Sequence, residues 1–576
     1  MNNSKADTLG RNINLTTKDR LVFRGILVVL LSTQALLLAY LSWATSPNRT
    51  EVGHIGAAVY FWHTGKFDVF HVNPPLTRII AGMPIALFCK PNYDWKSYSP
   101  RPQDRCEWAL GAAFINANDL DDIRLYVFLM RAACIPLVLL GGYFGYRFAA
   151  ELYCEWSGVV FLFLWTFSPL VLGWGATICP DVAAASLGIV GIYTFWHWLK
   201  KPDWRKAITA GVCLGLMPLT KMTWVIAFPL WCLLFIIWKF WRKQDEQRLP
   251  VKQFVSLLLI AVYVINSGYF YDGSFKLLKD YQFISGTLTG QEMAKGKQVK
   301  PGNRFADSWL GNIPIPLPAE FVQGIDTQKL DFERGIESYA YGTWSDHGWW
   351  WYYGYVLLLR EPLGIWVLGL LALGSLYFLR KGRGTFRDEL TIVLMGLLVF
   401  TFISSQTGFS IHPRYIIIAL PFAYIFIGRL VQSKKRLNVI VTVACLLWVA
   451  VSSVSFYPHS MSYFNELAGK PKNYPRYLLG SNIDWGQNAY FLKVWAEKNS
   501  EARPLYITYS SPIPLEKIGI KSDGEVPTEP TKGWIAIGVN ELSDKNGKFD
   551  WLKGKEVKMV GYSIWIVEIN GHKTLP

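Results

Sequence analysis

Long apolar runs separated by short polar loops dominate this chain. The runs cover residues 25–43, 125–150, 158–173, 182–199, 207–219, 223–241, 254–270, 363–379, 390–404, 415–430 and 437–456. A helix needs about 20 residues to cross the hydrocarbon core of a bilayer, and about 17 are enough. The pattern therefore predicts a polytopic α-helical membrane protein with about 11 transmembrane helices, in which 207–219 and 390–404 are the weakest spans.

Basic residues occupy alternate loops, and this alternation indicates the orientation. They are Lys18, Arg20 and Arg24; Lys200, Lys201, Arg205 and Lys206; Lys239, Arg242, Lys243, Arg248 and Lys252; Arg380, Lys381, Arg383 and Arg387; and Lys434, Lys435 and Arg436. Cytoplasmic loops carry an excess of Lys and Arg. The N-terminus is therefore predicted to be cytoplasmic and, after eleven spans, the C-terminus extracytoplasmic.

Composition agrees with a membrane protein and excludes a nucleic-acid partner. Only 17% of the residues are charged and 51% are hydrophobic, whereas about a quarter of a soluble globular chain is charged. The formal charge of +16 comes mostly from the cytoplasmic loops, because the segment from residue 457 onward has 15 Lys/Arg against 13 Asp/Glu. We expect the basic loops to face anionic lipid.

The predicted domains are a transmembrane domain (1–456) and a soluble extracytoplasmic α/β domain (457–576). Two extracytoplasmic loops, 44–124 and 271–362, interrupt the first domain, and a surface-lying or re-entrant helix is predicted over 76–88. In the second domain the pattern predicts a helix over 486–498 and strands over 505–510, 534–539 and 557–568. The eight cysteines form no CxxC pair, and Cys89 and Cys106 are the candidates for a disulfide.

Ionisable residues at the ends of apolar runs collect on the extracytoplasmic side. They are Glu51, His54, Asp181, Lys221, His412 and Arg414. Charge in or against a bilayer is costly, and function is the default explanation for it. A group on one side indicates a reaction site open to that face, not a path through the membrane.

Two carboxylates are candidates for proton transfer. If residues 48–54 are helical, Glu51 and His54 share one face and could supply a general base or a metal pair; the alternative for Glu51 is a solvated loop acid. Asp181 follows Pro180 at the start of an apolar run, where an acid also suits the helix dipole.

Two cations are candidates for binding phosphate. Lys221 lies between two short predicted spans, against the positive-inside trend, and Arg414 opens the run 415–430; a phosphate partner would explain both. The alternative for both is snorkelling to the interface. His347, His412 and Arg360 are weaker candidates for contacts with substrate or metal.

The order of these elements resembles a family. The matching stretches are Thr50-Glu51 to His54, Asn73-Pro74-Pro75-Leu76, Asp181, 215–221, 348–362, Arg414-Tyr415 and 481–487. Together they resemble the polytopic glycosyltransferases that use polyprenyl-phosphate sugars, which form the protein O-mannosyltransferase and aminoarabinose-transferase superfamily with the GT-C fold (glycosyltransferase family 39-like).

The resemblance implies an integral protein of a bacterial cytoplasmic (inner) membrane. It would transfer a sugar from polyprenyl phosphate to a hydroxyl of a protein, lipid or glycan, with inversion. The donor phosphate would bind Lys221 and Arg414, and a divalent metal ion could assist. The family's Asp-Glu pair is Thr50-Glu51 here, so the expected base is Glu51 first and Asp181 second. The alternatives are a transporter and a catalytically inactive membrane scaffold.

Overall fold

The computed structural model describes residues 16–93, 105–242, 246–292, 300–378, 386–432 and 436–569. Six basic residues of the predicted cytoplasmic loops lie outside the described residues: Lys243, Arg380, Lys381, Arg383, Lys434 and Lys435.

Eleven α-helices form the N-terminal half of the described chain. They are α1 (Thr17–Ala44), α2 (Arg49–Thr64), α3 (Leu76–Phe88), α4 (Cys106–Ala117), α5 (Leu120–Leu152), α6 (Glu155–Phe167), α7 (Pro169–Gly175), α8 (Asp181–Lys200), α9 (Trp204–Thr220), α10 (Ala227–Phe240) and α11 (Val251–Ser267). A 3₁₀ segment, Met222–Ile226, joins α9 to α10.

The second half contains the elements of the predicted loop 271–362 and then a group of apolar helices. These are α12 (Gly286–Thr289), α13 (Ala319–Arg334), β1 (Ser338–Ala340), β2 (Thr343–Ser345), α14 (Tyr352–Arg360), α15 (Leu363–Phe378), α16 (Phe386–Ser405), α17 (Leu420–Ile427) and α18 (Arg436–Val454). The 3₁₀ segments Pro413–Ala419 and Gly428–Gln432 extend α17 at both ends.

Each of the eleven predicted apolar runs coincides with a helix or a broken helix. Among the described residues, seven helices are long and apolar enough to span a membrane, or nine if the bent pairs α6–α7 (58°) and α14–α15 (116°) each cross once. The other two runs became α9 and α11, which have 17 residues each. The polytopic helical architecture is confirmed, and the count of eleven stays a prediction.

The helices α5 and α8 form the centre of the bundle. Helix α5 packs against α1, α3, α6 and α8, and α8 packs against α9. Seven tryptophans fill the interior with almost no exposed surface: Trp165, Trp174, Trp196, Trp198, Trp224, Trp231 and Trp238. Such large apolar side chains lock neighbouring helices in place because each removes a large area from contact with solvent.

The C-terminal part contains a four-stranded sheet with neighbouring helices, as the sequence predicts. The helices are α19 (Tyr474–Tyr477), α20 (Ala489–Lys498), α21 (Leu515–Ile518) and α22 (Val539–Leu542), and the strands are β3 (Leu505–Thr508), β4 (Gly533–Gly538), β5 (Lys558–Val560) and β6 (Ile564–Ile569). The sheet order is β3-β4-β6-β5, with β3 parallel to β4 and the other pairs antiparallel.

Two local expectations differ from the structure. The single strand predicted over 557–568 is a hairpin, because Gly561 and Tyr562 adopt φ values of 62° and 60° and reverse the chain. The candidate disulfide is also not formed: in the described structure no S–S bond joins Cys89 to Cys106.

Candidate active site

The centre of the candidate site is a carboxylate held between two cations. Asp181 is buried, its Oδ1 contacts the Lys221 Nζ, and its Oδ2 lies 3.3 Å from the Arg414 Nε. Charges in such a buried position are tolerable only because the carboxylate is paired with the two cations. Three distant segments thus meet at one point, as expected for residues predicted to lie on the same side of the membrane.

Local sequence explains how Asp181 and Lys221 come together. Asp181 is the first residue of α8, after Pro180. The Trp224 indole donates to the Ala184 carbonyl at 2.8 Å. Gly188 makes room for that indole, since a Cβ there would lie 2.0 Å from the ring. The indole therefore holds the turn that carries Lys221 beside the start of α8.

Arg414 connects the cluster to the start of α2. Its Nη1 donates to the Thr50 Oγ1 at 2.7 Å, and the same hydroxyl accepts the Trp485 indole N–H at 3.0 Å. Aromatic rings surround the two cations: Trp174 lies 5.2 Å from the Arg414 guanidinium, and Tyr415 lies 4.2 Å from the Lys221 Nζ. Thr50, where the resembling family has an acid, therefore faces the cluster.

Glu51 faces away from the cluster and is fully engaged. Its side chain caps α2 by accepting the Asn48 backbone N–H at 2.9 Å. Arg131 of α5 approaches it along two bonds, from Nε to Oε1 at 2.8 Å and from Nη2 to Oε2 at 2.6 Å. The Ile178 N–H adds a further bond to Oε1 at 3.1 Å. Glu51 and Arg131 are both buried. The Glu51 carboxylate therefore joins α2, α5 and the segment before α8.

His54 lies one helical turn after Thr50 and is also buried. Its ring packs edge-on against Phe70 at 4.9 Å, and its Nε2 is buried without a hydrogen-bond partner in the described structure. Burial, followed by the charges of Arg78, Arg414 and Lys221, holds the pKa of His54 well below its usual value. A neutral imidazole therefore lies within the field of three cations.

The three weaker candidates lie in different surroundings. The His412 Nδ1 shares a hydrogen bond with the Ser481 Oγ at 2.7 Å, and its ring contacts Trp485 at 5.3 Å, so it borders the cluster. His347 is exposed in the segment after β2. Arg360 is buried and donates to the Met461 carbonyl at 2.8 Å. In the described part of the chain, neither His347 nor Arg360 contacts the cluster.

A metal centre is not evident among the described residues. They include no group of three or more His, Cys, Asp or Glu side chains that could hold a metal ion. Both oxygens of Asp181 face cations instead, and Glu51 has no vacant acceptor position toward the cluster. The residues present therefore do not fit a metal at either candidate carboxylate.

An open cavity of about 130 Å³ lies beside Trp485, between the C-terminal part and the segment from Glu337 to Tyr352. Its lining residues are Arg49, Glu337, Tyr339, Trp344, Tyr352, Ser410, Ile411, Leu479, Gly480, Asp484, Trp485, Gly486, Ser510, Asn540 and Glu541. Trp485 contributes to this wall and also bonds to Thr50. The indole and Thr50 thus connect the cavity to the cation cluster.

Three residues of the site were missed by the sequence reasoning. Arg131 stands inside the apolar run 125–150, and a charge within a span is itself a signal of a buried partner. Trp485 lies in one of the stretches that carry the resemblance. Arg78 follows the Pro-Pro-Leu motif by two residues, and its burial had no signature in the sequence.

Comparisons with known proteins agree with the family resemblance in part. The family model described as "Dolichyl-phosphate-mannose-protein mannosyltransferase" matches residues 118–267. That segment runs from just before α5 to the end of α11 and contains Asp181 and Lys221. The match confirms the predicted resemblance over about a quarter of the chain.

Two crystal structures of ArnT from Cupriavidus metallidurans are also similar to this chain. The one bound to undecaprenyl phosphate has 13% sequence identity and a TM-score of 0.46, and the match covers 95% of this chain and 99% of that one. The apo structure has 13% identity and a TM-score of 0.43, with coverage of 94% and 97%. No curated protein matches this sequence.

Proposed function

We propose that this protein is a membrane glycosyltransferase that moves a sugar from a polyprenyl-phosphate donor to an acceptor hydroxyl. The observation that carries the proposal is the buried cluster of Asp181, Lys221 and Arg414. The family model supports it, because dolichyl phosphate is itself a polyprenyl phosphate. A buried pair of cations needs an anion, and a lipid-borne phosphate reaches the ends of membrane helices.

The donor phosphate would take over the contacts that Asp181 now makes. Arg414 can offer its fork to two phosphate oxygens, and Lys221 adds a compact charge. Charge-assisted bonds of this kind are strong in a buried setting. As the two cations turn to the phosphate, an oxygen of Asp181 becomes available.

Asp181 would then be the general base, which is the second of the two carboxylates predicted for this role. It accepts the proton of the acceptor hydroxyl while that oxygen attacks the anomeric carbon from the side opposite the phosphate. The anomeric C–O bond breaks, its electron pair stays on the phosphate oxygen, and the configuration inverts. Phosphate leaves readily, so a second carboxylate acting as acid is not required, unlike in glycoside hydrolysis.

Glu51 would hold the site together instead of taking part in proton transfer. Its two oxygens accept bonds from Arg131, Asn48 and Ile178, which leaves no lone pair directed at Asp181 or Arg414. Its ion pair fixes the start of α2, on which Thr50 and His54 are carried.

The acceptor would enter from the extracytoplasmic face through the cavity beside Trp485. That cavity combines aromatic rings with a few polar groups, which is usual for ligand sites. The basic loops lie at the opposite ends of the helices, so the positive-inside rule supports this face and a cytoplasmic N-terminus. A bacterial inner membrane is proposed from the resemblance, and the kind of acceptor is left to experiment.

The test uses the purified protein in lipid nanodiscs with a panel of radiolabelled polyprenyl-phosphate sugars and protein, lipid and glycan acceptors. We expect free polyprenyl phosphate and a labelled acceptor in equal amounts. The Asp181→Asn variant should release neither, while an Arg304→Gln variant in the outer loop should match the parent. Movement of intact donor across a vesicle membrane without bond cleavage would instead support a transporter. If neither sugar transfer nor transport is observed, the result would support an inactive scaffold.

A further inference from the structure

Among the residues that the structure describes, Arg78 is a buried arginine that forms no ion pair with a carboxylate. It lies in the first turn of α3 and is 3% exposed. Its Nη1 donates to the carbonyls of Phe70 at 2.7 Å and Asn73 at 3.1 Å. Within the described residues its Nε is buried without a hydrogen-bond partner, and both bonds to the carbonyls come from Nη1 and not from Nη2. One edge of the guanidinium is therefore anchored while the other edge, Nε and Nη2, is vacant.

Nearby acids form no ion pair with this guanidinium among the described residues, because each contacts another side chain. The charges of Glu107 and Glu320 act on Arg78. Yet Glu107 accepts a bond from the Arg105 Nε at 2.6 Å, and Glu320 contacts the His71 Nδ1 at 2.5 Å. A buried charge left unpaired is expensive, so a vacant edge that persists in a folded protein indicates a ligand.

The position of Arg78 relates it to the proposed donor site. Arg78 and His54 both contact Phe70: the guanidinium is 5.6 Å from the Phe70 ring, and the His54 ring is 4.9 Å from it. The charges of Arg78, Arg414 and Lys221 all act on His54. Asp181 is the carboxylate that pairs with Arg414 and Lys221, so Arg78 is the one of these three cations that forms no ion pair among the described residues.

We infer that Arg78 is a third phosphate ligand of the donor site, with its Nε–Nη2 edge directed at the oxygen that gains charge as the sugar leaves. The inference rests on the proposed function. The donor is a phosphodiester with one negative charge. When the anomeric C–O bond breaks, the electron pair stays on the phosphate, and the leaving polyprenyl phosphate is a monoester with close to two negative charges at neutral pH.

A third cation with a vacant hydrogen-bonding edge therefore suits the leaving phosphate, which gains charge, better than it suits the sugar donor. Only interactions that are stronger in the transition state than in the ground state accelerate a reaction. A hydrogen-bond donor that is already fixed where negative charge develops needs no reorganisation at the moment of reaction. Because Nη1 is held by two carbonyls, the free edge of Arg78 is fixed in this way.

The experiment compares two ligands that differ in this one charge. Undecaprenyl phosphate carries the second charge at pH 8, whereas its methyl phosphodiester carries one. Binding of both is measured on the intact protein in nanodiscs. We expect the parent to bind the monoester about ten- to a hundredfold more tightly than the diester, since bonds to charged groups contribute about 1.5–3 kcal/mol.

Arg78→Gln should abolish this preference while the affinity for the diester stays within about threefold of the parent. Arg78→Lys keeps the positive charge but not the planar guanidinium, so it should retain part of the preference for the monoester. This variant also tests the inference if Arg78→Gln does not fold. Arg304→Gln should behave as the parent does.

Three results would overturn the inference or its basis. An equal loss of both ligands in the Arg78 variants would mean that the arginine acts only through the fold. An unchanged preference would mean that it does not contact the phosphate. A parent protein that binds neither ligand would remove the proposed function itself, whereas a parent that binds both equally would remove only this inference.

Discussion

Replacing Glu51 by glutamine should make the protein less stable to unfolding without abolishing sugar transfer. The carboxylate accepts two bonds from Arg131, two from Asn48 and one from Ile178. Glutamine keeps one acceptor oxygen and places an amide N–H₂ group where the second carboxylate oxygen accepted hydrogen bonds. Arg131 is 1% exposed, so it would then be a buried cation with no ionised partner.

The structure indicates the size of the effect. Removing one partner of a buried ion pair costs about 3–5 kcal/mol, because the charge left behind is neither solvated nor neutralised. The double variant Glu51→Gln, Arg131→Met removes that charge and should recover part of the loss, since the two sites are directly coupled. The recovery separates the ion pair from the capping bonds to Asn48.

Two measurements on the same preparations distinguish the roles of the carboxylates. Thermal unfolding in nanodiscs reports stability, and release of polyprenyl phosphate per folded molecule reports turnover. For Glu51→Gln we expect a lower unfolding temperature and a turnover within about threefold of the parent. For Asp181→Asn we expect a loss of about 10²–10⁴-fold in turnover, which is typical for removal of a general base, with undecaprenyl phosphate still bound. An unchanged unfolding temperature with abolished turnover in Glu51→Gln would refute this reasoning and return the role of base to Glu51.

Three further predictions concern other parts of the molecule. Lys221→Met should weaken undecaprenyl phosphate binding by about tenfold or more, because a charge-assisted contact is lost; a titration that matches the parent would exclude this contact. Cysteine-accessibility mapping should place residues 200–206 in the cytoplasm and Trp485 outside, and Trp485 inside would mean an even number of spans. Burial raises the pKa of Asp484 to about 6. The folded state therefore binds its proton more tightly than the unfolded state, and this contribution to stability is full below about pH 4 and lost as the pH rises through 6. Unfolding temperatures at pH 4.5 and 7.5 should differ less in Asp484→Asn than in the parent; an equal difference would contradict the assignment.

The helices and the meeting of three site residues were predictable from the sequence. Asp181, Lys221 and Arg414 each stand at an end of an apolar run, and alternation of the basic loops puts those ends on one side of the membrane. Residues at the ends of packed helices on one side of a membrane are expected to lie close together. Contact between them in the structure agrees with that reasoning, although their chemical roles stay a prediction.

The direction of Glu51 was not predictable from local sequence. Neighbouring positions on a helix point about 100° apart, so the choice between Thr50 and Glu51 as the residue that faces the cluster depends on how α2 is rotated. That rotation is fixed by Arg131, some 80 residues further along the chain, and by the bonds to Trp485. The sequence pattern carries no information on such long-range partners, and for the same reason it did not indicate that Arg78 is buried.

The bonds between the start of α2 and the segment around Trp485 make the C-terminal part an element of the site. The Arg49 N–H donates to the Trp485 carbonyl at 2.8 Å, and the Ser46 N–H donates to the Gln487 carbonyl at 3.1 Å. The Ser46 hydroxyl donates to the Gly486 carbonyl at 2.8 Å. Asp484, just before this segment, accepts bonds from Tyr509 and Ser563, which follow β3 and precede β6.

Separation of the two parts would therefore leave these backbone groups without partners and would remove one of the two bonds that the Thr50 hydroxyl accepts. Buried backbone groups are almost always paired, and each unpaired one costs about 1–3 kcal/mol. A chain that ends before residue 457 would lack the indole that bonds to Thr50 beside Arg414. The cation cluster of the membrane helices and the C-terminal sheet are thus built as one unit, in which Trp485 is shared between the cluster and the cavity that the acceptor is proposed to enter.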